Sequence, residues 1–147
     1  MKLLLKIIAP LMLLLPFGGA MALAQNSYAE GQIWEYHTRP SDEGSLLKIQ
    51  KIELIDGNGG TITVYHISVI GAHFKGKNLA GEVTHLPVSR KTLDDSVTRL
   101  SEKTPVFPDP TEGIAVWREA NGGVFTITLA EIMDLVETTF VKRVQEN

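Results

Sequence analysis

Between residues 32 and 70 the chain alternates between hydrophobic and polar residues with a period of two, which predicts β-strands. In segment 32–39, Trp34 and Tyr36 fall on one face of the predicted strand. Segment 45–55 alternates in the same way, but its phase slips by one residue near Lys51, which predicts a β-bulge. A glycine-rich turn at 56–60 then connects this strand to a β-branched returning strand at 61–70.

The second half carries helical spacing. Ser89 is placed to cap a helix with the apolar positions Leu93, Val97 and Leu100. A short helix is predicted at 112–120. Thr128 and Glu131 have the spacing of a capping box and begin a C-terminal helix. The predicted apolar stripe of that helix consists of Ile132, Leu135, Val136, Phe140 and Val144.

The connecting segments have weaker signals. Residues 71–87 contain three glycines and show no clean period, so only a short strand at 72–75 is predicted there. Three prolines in 104–110 exclude a helix interior and predict an extended loop that crosses the domain. A last strand is predicted at 124–127, after a glycine turn.

Strands that come first and helices that come later, without regular alternation, are typical of an α+β fold. We therefore predict an antiparallel sheet with one tight hairpin. The C-terminal helix and one or two shorter helices should cover one face of this sheet. The other face should remain open to solvent or to a partner.

The N-terminus has the layout of a secretory signal peptide. Lys2 and Lys6 precede an apolar run, and Ala22-Leu23-Ala24 precedes the expected cleavage before Gln25. An uncleaved membrane anchor is the alternative, but prolines and glycines shorten the apolar centre below the length of a span. We expect cleavage, a periplasmic or secreted location, and no membrane association of the mature chain.

Cleavage would leave a single small α+β domain at 25–147. Loss of the two leader lysines changes the formal net charge from −3 to −5, which argues against binding to nucleic acid through bulk electrostatics. The chain has no cysteine, so disulfides, thiol nucleophiles and cysteine zinc sites are excluded. No cofactor and no metal site are predicted.

Several segments of the mature chain are similar to those of a family of small exported bacterial proteins of unknown function. They are Gly31-Gln32-Ile33-Trp34-Glu35-Tyr36 with Thr38-Arg39-Pro40, Ser45-Leu46-Leu47-Lys48-Ile49, Leu86-Pro87, Trp117-Arg118-Glu119 and Gly123-Val124-Phe125-Thr126-Ile127. The resemblance implies export but no particular activity, so it assigns no functional residue.

Catalytic candidates lie on the outer face of the first strand. Glu35, His37 and Arg39 would form a row of an acid, an imidazole and a guanidinium. His66, on a strand predicted to be a neighbour, could join His37 as a base or as a metal ligand. Alternating polar residues are equally typical of a solvated sheet face, and four scattered histidines lack a zinc motif.

Binding candidates lie elsewhere. Ser89, Arg90 and Lys91 could hold an anion at a helix start. Ordinary surface ion pairs are the alternative, because Arg90 with Asp94, Lys91 with Asp95 and Asp95 with Arg99 are at i, i+4 spacing. Arg39 and Phe107, the latter in the proline loop, are further candidates.

Three hypotheses of function follow from the sequence. The preferred one is a soluble envelope protein without catalysis, which binds an envelope protein or a small ligand through the free sheet face and the proline loop. The second is a small periplasmic hydrolase that depends on histidine or zinc. The third is an inhibitor or immunity protein, which only the negative charge suggests.

Overall fold

The computed structural model of the chain describes residues 25–75 and 81–146. These form the predicted α+β fold, with a fully antiparallel five-stranded sheet and three helices. In chain order the elements are β1 (Ile33–Tyr36), β2 (Leu46–Gly57), β3 (Gly60–Ile70), β4 (Val83–Val88), α1 (Arg90–Ser96), β5 (Val97–Leu100), α2 (Thr111–Glu119) and α3 (Leu129–Gln145). A 3-10 helix at Pro40–Asp42 follows β1. The strand order across the sheet is β4-β3-β2-β1-β5.

The β2–β3 hairpin confirms two predictions. Gly57 pairs with Gly60 across the turn, and Gly60 has the positive φ of 109° that a residue with a Cβ would resist. The register of the two strands shifts between Ile49 and Lys51, which is the predicted bulge. Because the bulge inserts Gln50, Ile49 and Ile52 both point to the same core.

The main core lies between one sheet face and the helices α1 and α3. The Thr128–Glu131 capping box is present as predicted. Of the predicted α3 stripe, Ile132 is fully buried and Val136 packs against the core, whereas Leu135 and Phe140 are 51% and 41% exposed. Leu129 and Met133 complete the buried face, so the packed stripe is rotated from the predicted one. The side chain of Val144 lies outside the described residues.

Two segments are strands where the sequence predicts otherwise. Helix α1 ends at Ser96, and Val97–Leu100 forms the edge strand β5 rather than the last turn of a helix. Pairing with β1 stabilises this conformation, and the Ser96 side chain accepts a hydrogen bond from the Leu129 backbone. Strand β4 occupies part of the segment without a clear period, whereas 72–75 is not a strand.

The predicted strand at 124–127 is reduced to a single parallel bridge between Phe125 and Val88. The Phe125 backbone N–H donates to Pro87, and the Phe125 carbonyl accepts from Ser89. Proline is tolerated in β4 because that strand lies at the edge of the named strands, where a missing donor costs no ladder bond.

The second sheet face is not free, which corrects the prediction. His66 and Ser68 alternate with the core residues of β3 and point to this face. Helix α2 covers His66 through the Trp117 ring, and the proline segment is held by a hydrogen bond from Gln50 to Pro108. Burial of Ile114 on α2 stabilises this contact. The end of this face nearest the hairpin turn is not covered by α2, and at the far edge of the sheet the Glu35–Arg99 pair is accessible to solvent.

The predicted signal peptide at 1–24 and its cleavage site lie outside the described residues. Among the helices that are described, none combines the length and the apolar character required to cross a membrane.

Candidate functional site

The structure does not bring the three catalytic candidates together. Strand β2 lies between β1 and β3, so His37 and His66 are not on neighbouring strands. His37 follows the end of β1 and is exposed, whereas His66 is fully buried. Glu35 accepts hydrogen bonds from Arg99 of β5, with a shortest N–O distance of 2.7 Å. These residues therefore form no common site.

Arg39 is not part of an exposed row, because β1 ends at Tyr36 and the Arg39 side chain turns into the protein. Its guanidinium donates to Asp42 at 2.7 Å and 3.1 Å, to Glu137 at 2.7 Å and to Asp134 at 3.2 Å. Burial alone would raise the pKa of Asp42, but the bonds from Arg39 and from the His73 backbone hold this pKa below its usual value. Arg39 is thus a structural centre with its donors engaged.

The other binding candidates are also occupied by contacts within the chain. Ser89 caps α1 by accepting from the Thr92 backbone. Two of the three predicted ion pairs are present, Arg90 with Asp94 at 3.4 Å and Lys91 with Asp95. The Phe107 ring is partly buried, with the Lys48 ammonium 5.9 Å from its centre. The expected pair of Asp95 with Arg99 does not form, since the helix ends before Arg99.

A groove lies at the open end of the second sheet face, between the β2–β3 hairpin and α2. Its volume is about 460 Å³. The apolar lining consists of Ile55 and Ile62 from the hairpin, Trp117 from α2 and Val124 from the segment that follows. The polar lining consists of Glu53, Arg118 and Asn121, and Gly122 completes the wall.

Local chain geometry fixes the position of Trp117 in this wall. Its indole N–H donates to the Gly123 carbonyl at 2.9 Å, and its own carbonyl accepts from Gly122 at 2.8 Å. A Cβ on Gly122 would lie 2.1 Å from Cδ1 of the indole ring. Asn121 adopts a left-handed φ of 48°, which reverses the chain after α2. The glycine turn is therefore shaped around the tryptophan.

The polar end of the groove is centred on Glu53. Its carboxylate forms ion pairs with Arg118 and, at 3.2 Å, with Lys51. Burial alone would raise the pKa of Glu53, but Lys51 and Arg118 lower it overall, so the group is an anion at neutral pH. Behind it, Nε2 of His66 lies 3.6 Å from the nearest carboxylate oxygen, beyond hydrogen-bond distance.

His66, which is fully buried, and His85, which is partly buried, form a pair beneath Trp117. Nδ1 of His66 and Nε2 of His85 are 2.8 Å apart, and the Trp117 ring meets His66 edge-on at 4.9 Å between centres. Burial lowers the pKa of His85 to about 4, and burial also lowers the pKa of His66 despite the neighbouring Glu53. Both rings are therefore neutral at pH 7, and one ring donates a hydrogen bond to the other.

The described residues show no cluster of three histidine, cysteine or acidic side chains that could hold a metal ion. In the His66–His85 pair the two facing nitrogens are hydrogen-bonded to each other. The groove above them can bind a ligand through its apolar walls and through the charged groups at its polar end.

The sequence pointed to His66 but missed its partners. Glu53 and His66 share a face only because the bulge at Gln50 resets the phase of β2. His85 lies in the segment without a clear period, and α2 has no local signal that places it on this face. The adjacent Trp117 and Arg118 on the predicted short helix were the sequence feature that could have indicated the site.

Comparison of the chain with protein-family models, curated proteins and solved structures gives no match, so the proposals below depend on the residues themselves.

Proposed function

We propose that this chain is a small exported binding protein without catalysis, and that its ligand occupies the groove between the β2–β3 hairpin and α2. The groove itself carries the proposal. Its volume of about 460 Å³ lies within the range of small-molecule pockets. It also has the usual composition of such pockets, with apolar walls and a few polar groups at one end.

The lining favours binding over catalysis. The described residues that line the groove include no serine, threonine, cysteine or lysine that could act as a nucleophile. The Glu53 carboxylate is held in ion pairs by Arg118 and Lys51, and the neutral His66 lies beneath Trp117 without an exposed edge. The hydrolase hypothesis loses support because Glu35, His37 and His66 lie apart. Export remains a proposal that depends on the leader sequence.

The groove can be tested with the neutral dye N-phenyl-1-naphthylamine, whose fluorescence rises in apolar sites. Ile62→Asp places a charge in the wall at a side chain that is already 49% exposed, so folding should persist. The matched control is Leu54→Asp, which alters a 74% exposed residue on the opposite face of the same hairpin. We expect Ile62→Asp to weaken dye binding about tenfold or more, and Leu54→Asp to leave it unchanged. Equal binding by all three proteins would refute a ligand site in the groove.

Export has a separate test. The full chain, with its own leader, is expressed in a Gram-negative host and recovered from the periplasm and the medium. N-terminal sequencing should find Gln25 as the first residue of the recovered protein. Protein that retains Met1 and remains in the cytoplasm would contradict export.

A further inference from the structure

The polar end of the groove and Lys51 beside it together carry an excess of positive charge. Among the described residues that line the groove, Glu53 is the single carboxylate, and it is shared by Arg118, which also lines the groove, and by Lys51, which lies next to it. Arg118 is about half exposed, so its guanidinium has donors within reach of a ligand. Two cations around one carboxylate leave one positive charge for a ligand to balance.

A buried polar atom next to this ion pair lacks a partner. His66 is fully buried, and its Nε2 has no hydrogen bond to any residue that the structure describes. When Nδ1 of His66 accepts a hydrogen bond from Nε2–H of His85, Nε2 of His66 carries the N–H of the neutral ring and points towards Glu53. The opposite tautomer would place a lone pair against the carboxylate, which is unfavourable. Nε2–H of His66 is thus a donor without an acceptor, and the nearest carboxylate oxygen of Glu53 lies 3.6 Å away.

Both observations point to one exchange of partners. We propose that the ligand is an apolar molecule with a single anionic group, and that this group binds Arg118 in place of Glu53. Glu53 then moves the short distance needed to accept a hydrogen bond from Nε2 of His66. The inference rests on the proposed function, since it names the class of ligand that the groove takes. Its physical basis is that, after the exchange, Arg118 pairs with the ligand anion and Nε2–H of His66 donates to Glu53, so that neither group lacks a partner.

The rest of the groove fits the apolar part of such a molecule. The Trp117 ring forms a fixed planar wall, and Ile55, Ile62 and Val124 supply branched aliphatic surface. Guanidinium groups bind carboxylates and related planar or tetrahedral anions in a bidentate manner. An aromatic or aliphatic acid therefore fits better than a sugar or a polycation.

A matched pair of dyes tests the anionic group. 8-Anilinonaphthalene-1-sulfonate carries one sulfonate on essentially the ring system of the neutral N-phenyl-1-naphthylamine. We expect the sulfonate dye to bind the native protein about tenfold more tightly than the neutral dye. Arg118→Gln should remove this preference and leave the neutral dye within about twofold. Arg99→Gln, which breaks the exposed pair with Glu35 elsewhere, is the control and should change neither affinity.

Substitution of Glu53, the other member of the ion pair, should change the affinity for the sulfonate dye in the opposite direction. Glu53→Gln removes the competing carboxylate, so the sulfonate dye should bind several-fold more tightly than to the native protein. A purely structural role of the Glu53–Arg118 pair would make both substitutions act in the same direction. Weaker binding by Glu53→Gln would therefore overturn the inference.

The movement of Glu53 has its own readout in the histidine region of ¹⁵N NMR spectra. When the sulfonate dye is added to the native protein, the Nε2–H signal of His66 should shift downfield and exchange more slowly with water. The same titration of Glu53→Gln should shift it less. An unchanged His66 signal at saturating dye would refute the exchange.

Failure of this inference is distinct from failure of the proposed function. If both dyes bind equally and Ile62→Asp weakens both, the groove is a binding site but the ligand class is wrong. If Ile62→Asp affects neither dye, the groove is not a site and both proposals fall.

Discussion

At the scale of single residues, burial decides which form of a titratable group the fold accepts. His66 and His85 are held neutral in the fold, because burial disfavours their charged forms. In the unfolded chain each would bind a proton at its usual pKa of 6.5. Between pH 6.5 and about 4 the unfolded state therefore binds more protons, and the stability falls as the pH falls.

We predict that the free energy of unfolding decreases by on the order of 1 kcal/mol between pH 7 and pH 5, a figure reduced because solvent reaches part of His85. The carboxylates with lowered pKa start from usual values of 3.8 and 4.5, so their effect lies mainly below this window. Urea denaturation at the two pH values measures the change. His85→Gln keeps a polar side chain at the position and should reduce the dependence. An identical dependence in that variant would contradict the assignment.

At the scale of elements, α2 reaches the sheet because Gly113 has no side chain. A Cβ at this position would lie 2.6 Å from Cβ of His85 and 3.1 Å from its Cγ. In an exposed helix interior, alanine is favoured over glycine by about 1 kcal/mol. The contact with His85 opposes that gain, and His85 cannot retreat because His66 lies behind it.

We therefore predict that Gly113→Ala destabilises the protein by about 1–3 kcal/mol, the usual cost of an overpacked contact. The same substitution should weaken dye binding in the groove, since it moves Trp117 with the helix. Gly59→Ala is the matched control, because nothing lies within 4 Å of its added methyl group and the residue does not need positive φ. Thermal unfolding of both variants measures the difference. Stabilisation by Gly113→Ala would show that α2 is not tightly packed on His85.

Elements with local signals were predictable from the sequence, and those fixed by distant contacts were not. The α3 capping box, the hairpin turn and the bulge near Lys51 each depend on residues a few positions apart. Strand β5 exists because β1 offers it a pairing edge, and this overrides the helical spacing of Val97 and Leu100. Strand β4 was not predicted for the same reason, because it is stabilised by pairing with β3, and the register of that pairing is irregular.

At the scale of the whole molecule, the candidate site shows the same division. Its strand residue His66 was singled out because of its side-chain chemistry. Its neighbours Glu53, His85 and Trp117 come from a bulged strand, an edge strand and a helix on the second face. The periodicity of a single segment cannot predict that these residues contact one another. Charge and residue type indicated candidates, and only the assembled sheet selects among them.

Arg39 and Asp42 connect the most distant parts of the chain. Asp42 is fully buried, binds the Arg39 guanidinium through both oxygens and also accepts from the His73 backbone at 2.7 Å. Arg39 in turn contacts Glu137 on α3 and the His73 carbonyl. The 3-10 helix, the segment after β3 and α3 are thus held by one buried ion pair, whose strength depends on both partners being present.

Asp42→Asn removes the charge while keeping the size of the side chain. We predict a loss of about 3–5 kcal/mol in the free energy of unfolding, because the buried Arg39 loses its best-placed anion. The matched control is Glu35→Gln, which breaks the solvent-screened Glu35–Arg99 pair and should cost far less stability. Urea denaturation at pH 7 compares the two, and hydrogen exchange should show faster opening at 72–75 and in α3 for Asp42→Asn alone. Equal losses in the two variants would mean that solvent screens both pairs alike, and that the fold does not depend on the buried one.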